Sequence, residues 1–189
     1  MPDIIKGAGV LFWPLLTCSL IAVYIIFERL YALRKDAILP DDLVDAIVEG
    51  KPVNSGRHSV LARILAFAEA HQGDPEAVKA FARLEINRME RGVPYLDLIY
   101  TLAPLIGLTG TIWGLLKVFN QVSPETGIPD PAPFMQGVAL ALSSTLCGLI
   151  IAMLSLVPAG YLQRRIETYA AKIDLLLERV LSRSTKPVS

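Results

Sequence analysis

Three long stretches of the chain carry no charged side chain, and polar residues fill the ground between them. Residues 7–27, 98–116 and 134–163 contain no Asp, Glu, Lys or Arg. About 20 apolar residues cross a bilayer as a helix. The pattern therefore predicts an all-α membrane protein with three spanning helices. The third run exceeds what a bilayer needs, since it would make about 45 Å of helix against about 30 Å of hydrocarbon. It is expected to leave the membrane and continue through "RRIETYAAKIDLLLERVLSR", where Ile166, Tyr169, Ile173, Leu176, Leu177 and Val180 recur at helical spacing. Pro158 has no N–H for the Leu154 carbonyl and predicts a kink.

The polar ground between the first two runs also reads as helical. Residues 59–72 are amphipathic and stop at Gly73. Asp74 is expected to cap a new helix with Pro75 in its first turn, running to about Arg91. A break at Gly92 and Pro94 precedes the second span. The resulting organisation is a first spanning helix in residues 1–28, a helical segment in 29–96, a second span in 97–119 and a short loop in 120–133. A third span in 134–163 and a tail helix from 164 follow, with "STKPVS" expected to be disordered at the end. Asp97 either caps the second span or receives ions at its end.

Charge sets the orientation. The segment between the first and second spans holds ten Lys and Arg, the tail holds six, and residues 118–133 hold none. Positive charge stays inside. The chain is thus read as N-terminus out and C-terminus in, with the long middle segment and tail cytoplasmic. Lys6 and Lys117 lie at outer ends, where they can snorkel to the headgroups. Trp13 is read as a belt aromatic and Trp113 as a packing aromatic, and the Arg164–Arg165 pair as an anchor to anionic lipid. Glu28 and Arg29 are read as solvated anchors, and Glu125 and Asp130 either as a solvated loop or as concentrators of cations. The first run resembles a signal peptide, but its apolar core is too long and no small-x-small cleavage site follows; it is read as retained. With 18 basic and 18 acidic residues the chain has no net charge, and nothing points to nucleic acid. Cys18 and Cys147 lie within apolar runs and read as small buried residues, not as a disulfide or metal site. A hydrolase would need a base near Ser143 or Ser144, and His58 and His71 both fall in the polar middle segment, so the chain is not read as an enzyme and no cofactor is expected.

The second span, "TLAPLIGLTGTIWGLLKVF", is rich in small and hydroxyl residues. Ala103, Gly107, Gly110 and Gly114 share one helical face, with Thr111 beside it. On the third span Gly137, Ala141, Ser144, Thr145, Gly148, Ala152, Ser155 and Ala159 form a second small stripe. In lipid, helices associate through close packing of small residues and interhelical hydrogen bonds. The stripes are either packing faces within one subunit or, in part, walls of a cavity that receives another chain. The spans contain no ionisable side chain other than the two cysteines, whereas ion pathways through membranes usually carry one. A conducting protein of this sequence would need its titrating group from a partner.

These residues carry a resemblance. "APLIGLTGTIWGLLKVF" and "GVALALSSTLCGLIIAMLSLVPAGYLQRRI" resemble the second- and third-span motifs of the MotA/TolQ/ExbB family, closest to its ExbB/TolQ branch. The resemblance implies an inner-membrane stator: a homopentamer around a dimer of single-span partners of the ExbD/TolR/MotB type, each carrying a membrane aspartate. It further implies that H⁺ or Na⁺ flow is the driving force. The work is delivered to the cell envelope, as in energising TonB-dependent outer-membrane transport through a TonB-like protein or in TolA-linked envelope maintenance; a gliding or flagellar-type stator and a non-conducting scaffold are the alternatives. The motif hydroxyls fall on Thr111 and Thr145, with Ser144 adjacent, and these are expected to face the partner's aspartate at similar depth. Gly107, Gly110, Gly114, Ala141 and Gly148 are expected to pack the helices. The branch's third-span glutamate is replaced here by Leu140.

Overall fold

The computed structural model describes residues 12–49, 59–71, 74–120 and 131–184. Among these the chain is helical throughout: α1 (Phe12–Ala32), α2 (Lys35–Ile38), α3 (Asp41–Glu49), α4 (Val60–Ala70), α5 (Pro75–Glu90), α6 (Val93–Phe119) and α7 (Pro131–Ser184). The loop carrying Glu125 and Asp130, the segment with His58, Lys6 and the last residues lie outside the described part. Three helices are long and apolar enough to cross a membrane, and only 17%, 17% and 22% of their most apolar stretches are buried within the subunit. The remaining apolar side chains, Tyr24, Ile112 and Met153 among them, face outward. Such surface is stable only against lipid or other chains, so this is a membrane protein.

Local chemistry fixes the helix ends. The Ser59 hydroxyl accepts from the Ala62 N–H at 3.1 Å and starts α4. The Asp74 carboxylate accepts from the Ala77 N–H at 3.0 Å, with Pro75 in the first turn of α5. α5 ends at Glu90, and Gly92 adopts a φ of +102° that side chains bearing a Cβ rarely reach. α6 then begins at Val93, four residues ahead of Asp97. Asp97 therefore does not cap the helix; it lies inside it, and its carbonyl accepts from the Thr101 hydroxyl at 2.9 Å. α7 runs for 54 residues and stays continuous through Pro158.

The chain divides into two compact units. The first comprises α1 as far as Ile26, α6 from Pro94, and α7 as far as Ala159. Small groups make up much of its interior: Ala22, Ala103, Ala141, Ser144, Ser155 and Ala159 are buried, joined by Leu15 and Ile25 of α1 and by Leu96, Ile99 and Val118 of α6. Trp113, read from the sequence as a packing aromatic, is 66% exposed within this subunit. Its neighbour Gly114 takes the inward position instead.

The second unit comprises residues 27–93 and α7 from Gly160. Its core is larger and branched: Ile64 and Leu65 of α4, Val78 and Met89 of α5, and Leu162, Ile166, Ile173, Leu176 and Leu177 of α7 are buried. The tail periodicity seen in the sequence thus describes a core face, with Val180 only half-buried at its end. Beyond this core α5 and distal α7 flank a groove of about 520 Å³, with Lys79 and Arg83 on one wall and Asp174 and Glu178 on the other. Glu85 is fully buried on the inner face of α5, held by Arg63 of α4 through Oε2 and by Arg88 through Oε1.

Candidate ion-pathway site

The site is built where α6 and α7 approach closely. A Cβ placed on Gly148 would lie 2.5 Å from the Ala103 carbonyl oxygen, and one on Gly107 would lie 2.9 Å from the Ser144 carbonyl oxygen. A Cβ on Gly114 would touch that of Ala141 at 3.0 Å. The first two meet backbone and the third a methyl group, an approach that only small residues permit. Gly107, Gly114, Ala141 and Gly148 thus meet inside one subunit. Gly110 is half-buried.

The hydroxyls occupy three different environments. Thr145 donates to the Gly107 carbonyl of α6 at 3.2 Å, a bond between helices. Thr111 donates to the Leu108 carbonyl of its own helix at 2.7 Å. Both are half-buried. Ser144 is 4% exposed, and its hydroxyl has no hydrogen-bond partner. Ser143 and Ser155, by contrast, each donate to the carbonyl four residues back, at 2.8 and 2.9 Å. An unpartnered buried hydroxyl costs about 1–3 kcal/mol, so the Ser144 position is energetically expensive within an isolated subunit. Leu140 is half-buried beside this region.

The arrangement defines what this wall can do. The Thr111 and Thr145 protons are both donated to carbonyls, which leaves the lone pairs of each oxygen without a partner in those bonds. In that state they accept hydrogen bonds from a protonated carboxyl or approach a cation; rotation about the C–O bond turns each into a donor toward a carboxylate. The described part of the wall offers no acid of its own between residues 98 and 116 or 134 and 163. Two features escaped sequence reasoning. Helical periodicity puts Thr145 beside the small face but does not reveal that its partner is the Gly107 carbonyl. Likewise Ser144 shares a face with Ala141 and Gly148, three residues before it and four after, yet the missing partner is visible only in three dimensions.

The MotA/TolQ/ExbB proton channel family matches residues 53–175, 123 of the 189 residues, a stretch that contains α4, α5, α6 and most of α7. An ExbB-like biopolymer transport protein of Synechocystis is 33% identical over 172 residues, covering 82% of this chain and 67% of its own. The biopolymer transport protein exbB1 of Vibrio cholerae is 26% identical over 189 residues, covering 91% of this chain and 83% of its own. Motility protein A of Borreliella burgdorferi is 33% identical over 114 residues, covering 58% of this chain and 42% of its own. A family match over most of its length, together with three helices able to span a bilayer, makes this chain a stator-type membrane subunit belonging to the MotA/TolQ/ExbB proton channel family.

Proposed function

We propose that this chain is the stator subunit of an inner-membrane ion-driven motor of the ExbB/TolQ type. It assembles as a homopentamer around a dimer of single-span partners, each bringing one membrane carboxyl. H⁺ or Na⁺ passes through that carboxyl, and the resulting motion of the partner does work on the cell envelope. Energising transport across an outer membrane is the favoured output, because relatives matched over most of this chain are named for biopolymer transport.

One observation carries this reading. The α6–α7 wall carries half-buried threonine hydroxyls but no acid. A wall of that kind solvates a carboxyl that arrives on another chain; it does not move ions by itself. The first test is partner-dependent flux. The chain is reconstituted in vesicles with and without a single-span protein carrying a membrane Asp, and H⁺ and Na⁺ movement are measured separately. Flux that needs both chains and disappears when the Asp becomes Asn supports the motor. Absence of any flux with an assembled complex favours the scaffold. Native mass spectrometry in detergent tests the pentamer, and a dominant monomer or dimer counts against it.

A further inference from the structure

The second unit gathers cations where α1 ends and where α7 leaves its uncharged run. The Arg34 guanidinium lies 4.2 Å from the centroid of the Tyr31 ring. Arg165 lies 6.0 Å and 5.7 Å from the rings of Tyr161 and Tyr169. Its Nε donates to the Tyr169 hydroxyl at 3.1 Å and an η-nitrogen donates to the Tyr161 hydroxyl at 3.3 Å. Tyr169, itself buried, donates onward to the Leu33 carbonyl at 3.4 Å. One line of hydrogen bonds therefore runs from Arg165 to the peptide that adjoins Arg34.

The two arginines differ from the lysine next to them. Lys35 pairs with Asp41 at 2.6 Å, and that bond raises its affinity for the proton. Arg34 and Arg165 have no carboxylate within ion-pair distance among the described residues. The Tyr169 hydroxyl strengthens proton binding at Arg165. A guanidinium has five N–H donors. Two of those on Arg165 go to tyrosines, which leaves three in a planar fork suited to phosphate oxygens. Backing by aromatic rings holds both forks in place at low entropic cost.

We propose that Arg34 and Arg165 form a binding site for the phosphate of an anionic phospholipid. Exposed aromatics decide between a lipid and a free phosphate ion. Phe27, Tyr31 and Tyr161 are 69%, 67% and 55% exposed in this unit. Tyr161 also falls within the last three residues of the uncharged run 134–163. Aromatic side chains at that level sit in the headgroup region of a bilayer, and a free ion would leave them uncovered. The site depends on membrane embedding and not on ion conduction.

The test is a titration of the purified full chain in detergent with phosphatidylglycerol, read by native mass spectrometry, with phosphatidylcholine and inorganic phosphate as separate arms. Phosphatidylglycerol is retained over phosphatidylcholine, and inorganic phosphate does not displace it. Arg34→Gln and Arg165→Gln each weaken retention about tenfold or more, and together roughly 100-fold, as expected for the loss of one charge-assisted hydrogen-bonding fork apiece. Arg164→Gln removes the same charge one residue away and changes retention by less than about twofold, because Arg164 has no ring-backed fork. Equal effects of Arg164→Gln and Arg165→Gln, or equal retention of the two lipids, overturn the site; so does displacement by phosphate. If Arg165→Gln does not fold, Tyr161→Leu, which leaves the Tyr169–Leu33 bond in place, weakens phosphatidylglycerol retention several-fold, and unchanged retention overturns the proposal.

Discussion

The place where a Cβ would stand on Gly148 is 2.5 Å from the carbonyl oxygen of Ala103, and Gly107 meets the Ser144 carbonyl in the same way at 2.9 Å. Neither obstacle is a side chain that can rotate aside. Gly148→Ala must separate α6 from α7 and stretch the Thr145–Gly107 bond that lies one turn away. Overpacking of this kind costs about 1–3 kcal/mol. The expected result is a clear drop in the melting temperature in detergent. Gly160→Ala, where nothing lies within 4 Å of the new Cβ, is the control. It should be neutral or slightly stabilising, since Ala exceeds Gly in helix propensity by about 1 kcal/mol. A Gly148→Ala protein as stable as the control contradicts this packing.

Gly92 joins α5 to α6 with a φ of +102°, and its missing Cβ would lie 2.9 Å from Arg29 Nε. Two penalties are therefore predicted for Gly92→Ala: backbone strain of about 1–3 kcal/mol and displacement of the arginine. They separate in a double variant. Arg29→Ala removes the obstacle and leaves the dihedral problem. Arg29→Ala with Gly92→Ala should remain close to Gly92→Ala in stability if strain dominates. Full recovery to the level of Arg29→Ala alone identifies the side-chain clash as the cause.

Glu85 is inaccessible to solvent, while the side chains of its partners Arg63 and Arg88 are 48% and 61% exposed. The loss is therefore asymmetric. Glu85→Gln leaves two arginines that can rehydrate, so the cost comes from weaker hydrogen bonds to a neutral amide, about 1–3 kcal/mol. Arg63→Ala and Arg88→Ala together leave a buried carboxylate with no cation, which is worth about 3–5 kcal/mol. Thermal unfolding of the three proteins should rank wild type first, Glu85→Gln second and the double arginine variant last. Reversal of the last two would mean that Glu85 reaches water when unpaired.

Much of this architecture was legible in the chain because each signal has a local cause. Asp74 with Pro75 starts a helix wherever it stands, and a residue with positive φ at the end of α5 asks for glycine. The 54-residue α7 followed from a charge-free run merging into a periodic tail. What stayed hidden depends on partners far away in sequence. Glu85 occupies the buried face set by Val78, Ala82 and Met89, but one of two glutamates in "RLEINRME" reads as solvated until Arg63 is seen to cover it. Gly114 was legible as part of the packing face, but the sequence did not show that its neighbour Trp113 stays exposed within the subunit. The small stripes marked faces for close packing but left open whether they met within one subunit or lined a cavity, and the pairing of Thr145 with Gly107, 38 residues apart, required the fold.

Thr111 and Thr145 give the sharpest prediction, because the structure separates their stabilities while the proposed function joins them. Thr145→Val removes an interhelical hydrogen bond at 3.2 Å and should lower stability by about 1 kcal/mol. Thr111→Val removes only a bond to the Leu108 carbonyl of its own helix, already served by the helical backbone, and should stay within about 0.5 kcal/mol of wild type. A carboxyl brought into this wall loses water, and each hydroxyl that meets it supplies a bond worth about 1–3 kcal/mol in a dry site. Losing one raises the barrier to ion transfer and slows the step about tenfold or more. Both variants should therefore assemble yet show at least that loss of partner-dependent flux, whatever their melting temperatures. Leu140→Ala should lower stability without a separate loss of flux, since that side chain has nothing to give an ion. Flux that persists in the Thr111→Val, Thr145→Val double variant would remove both hydroxyls from the pathway, and flux lost only in step with stability would reduce Thr145 to a packing residue.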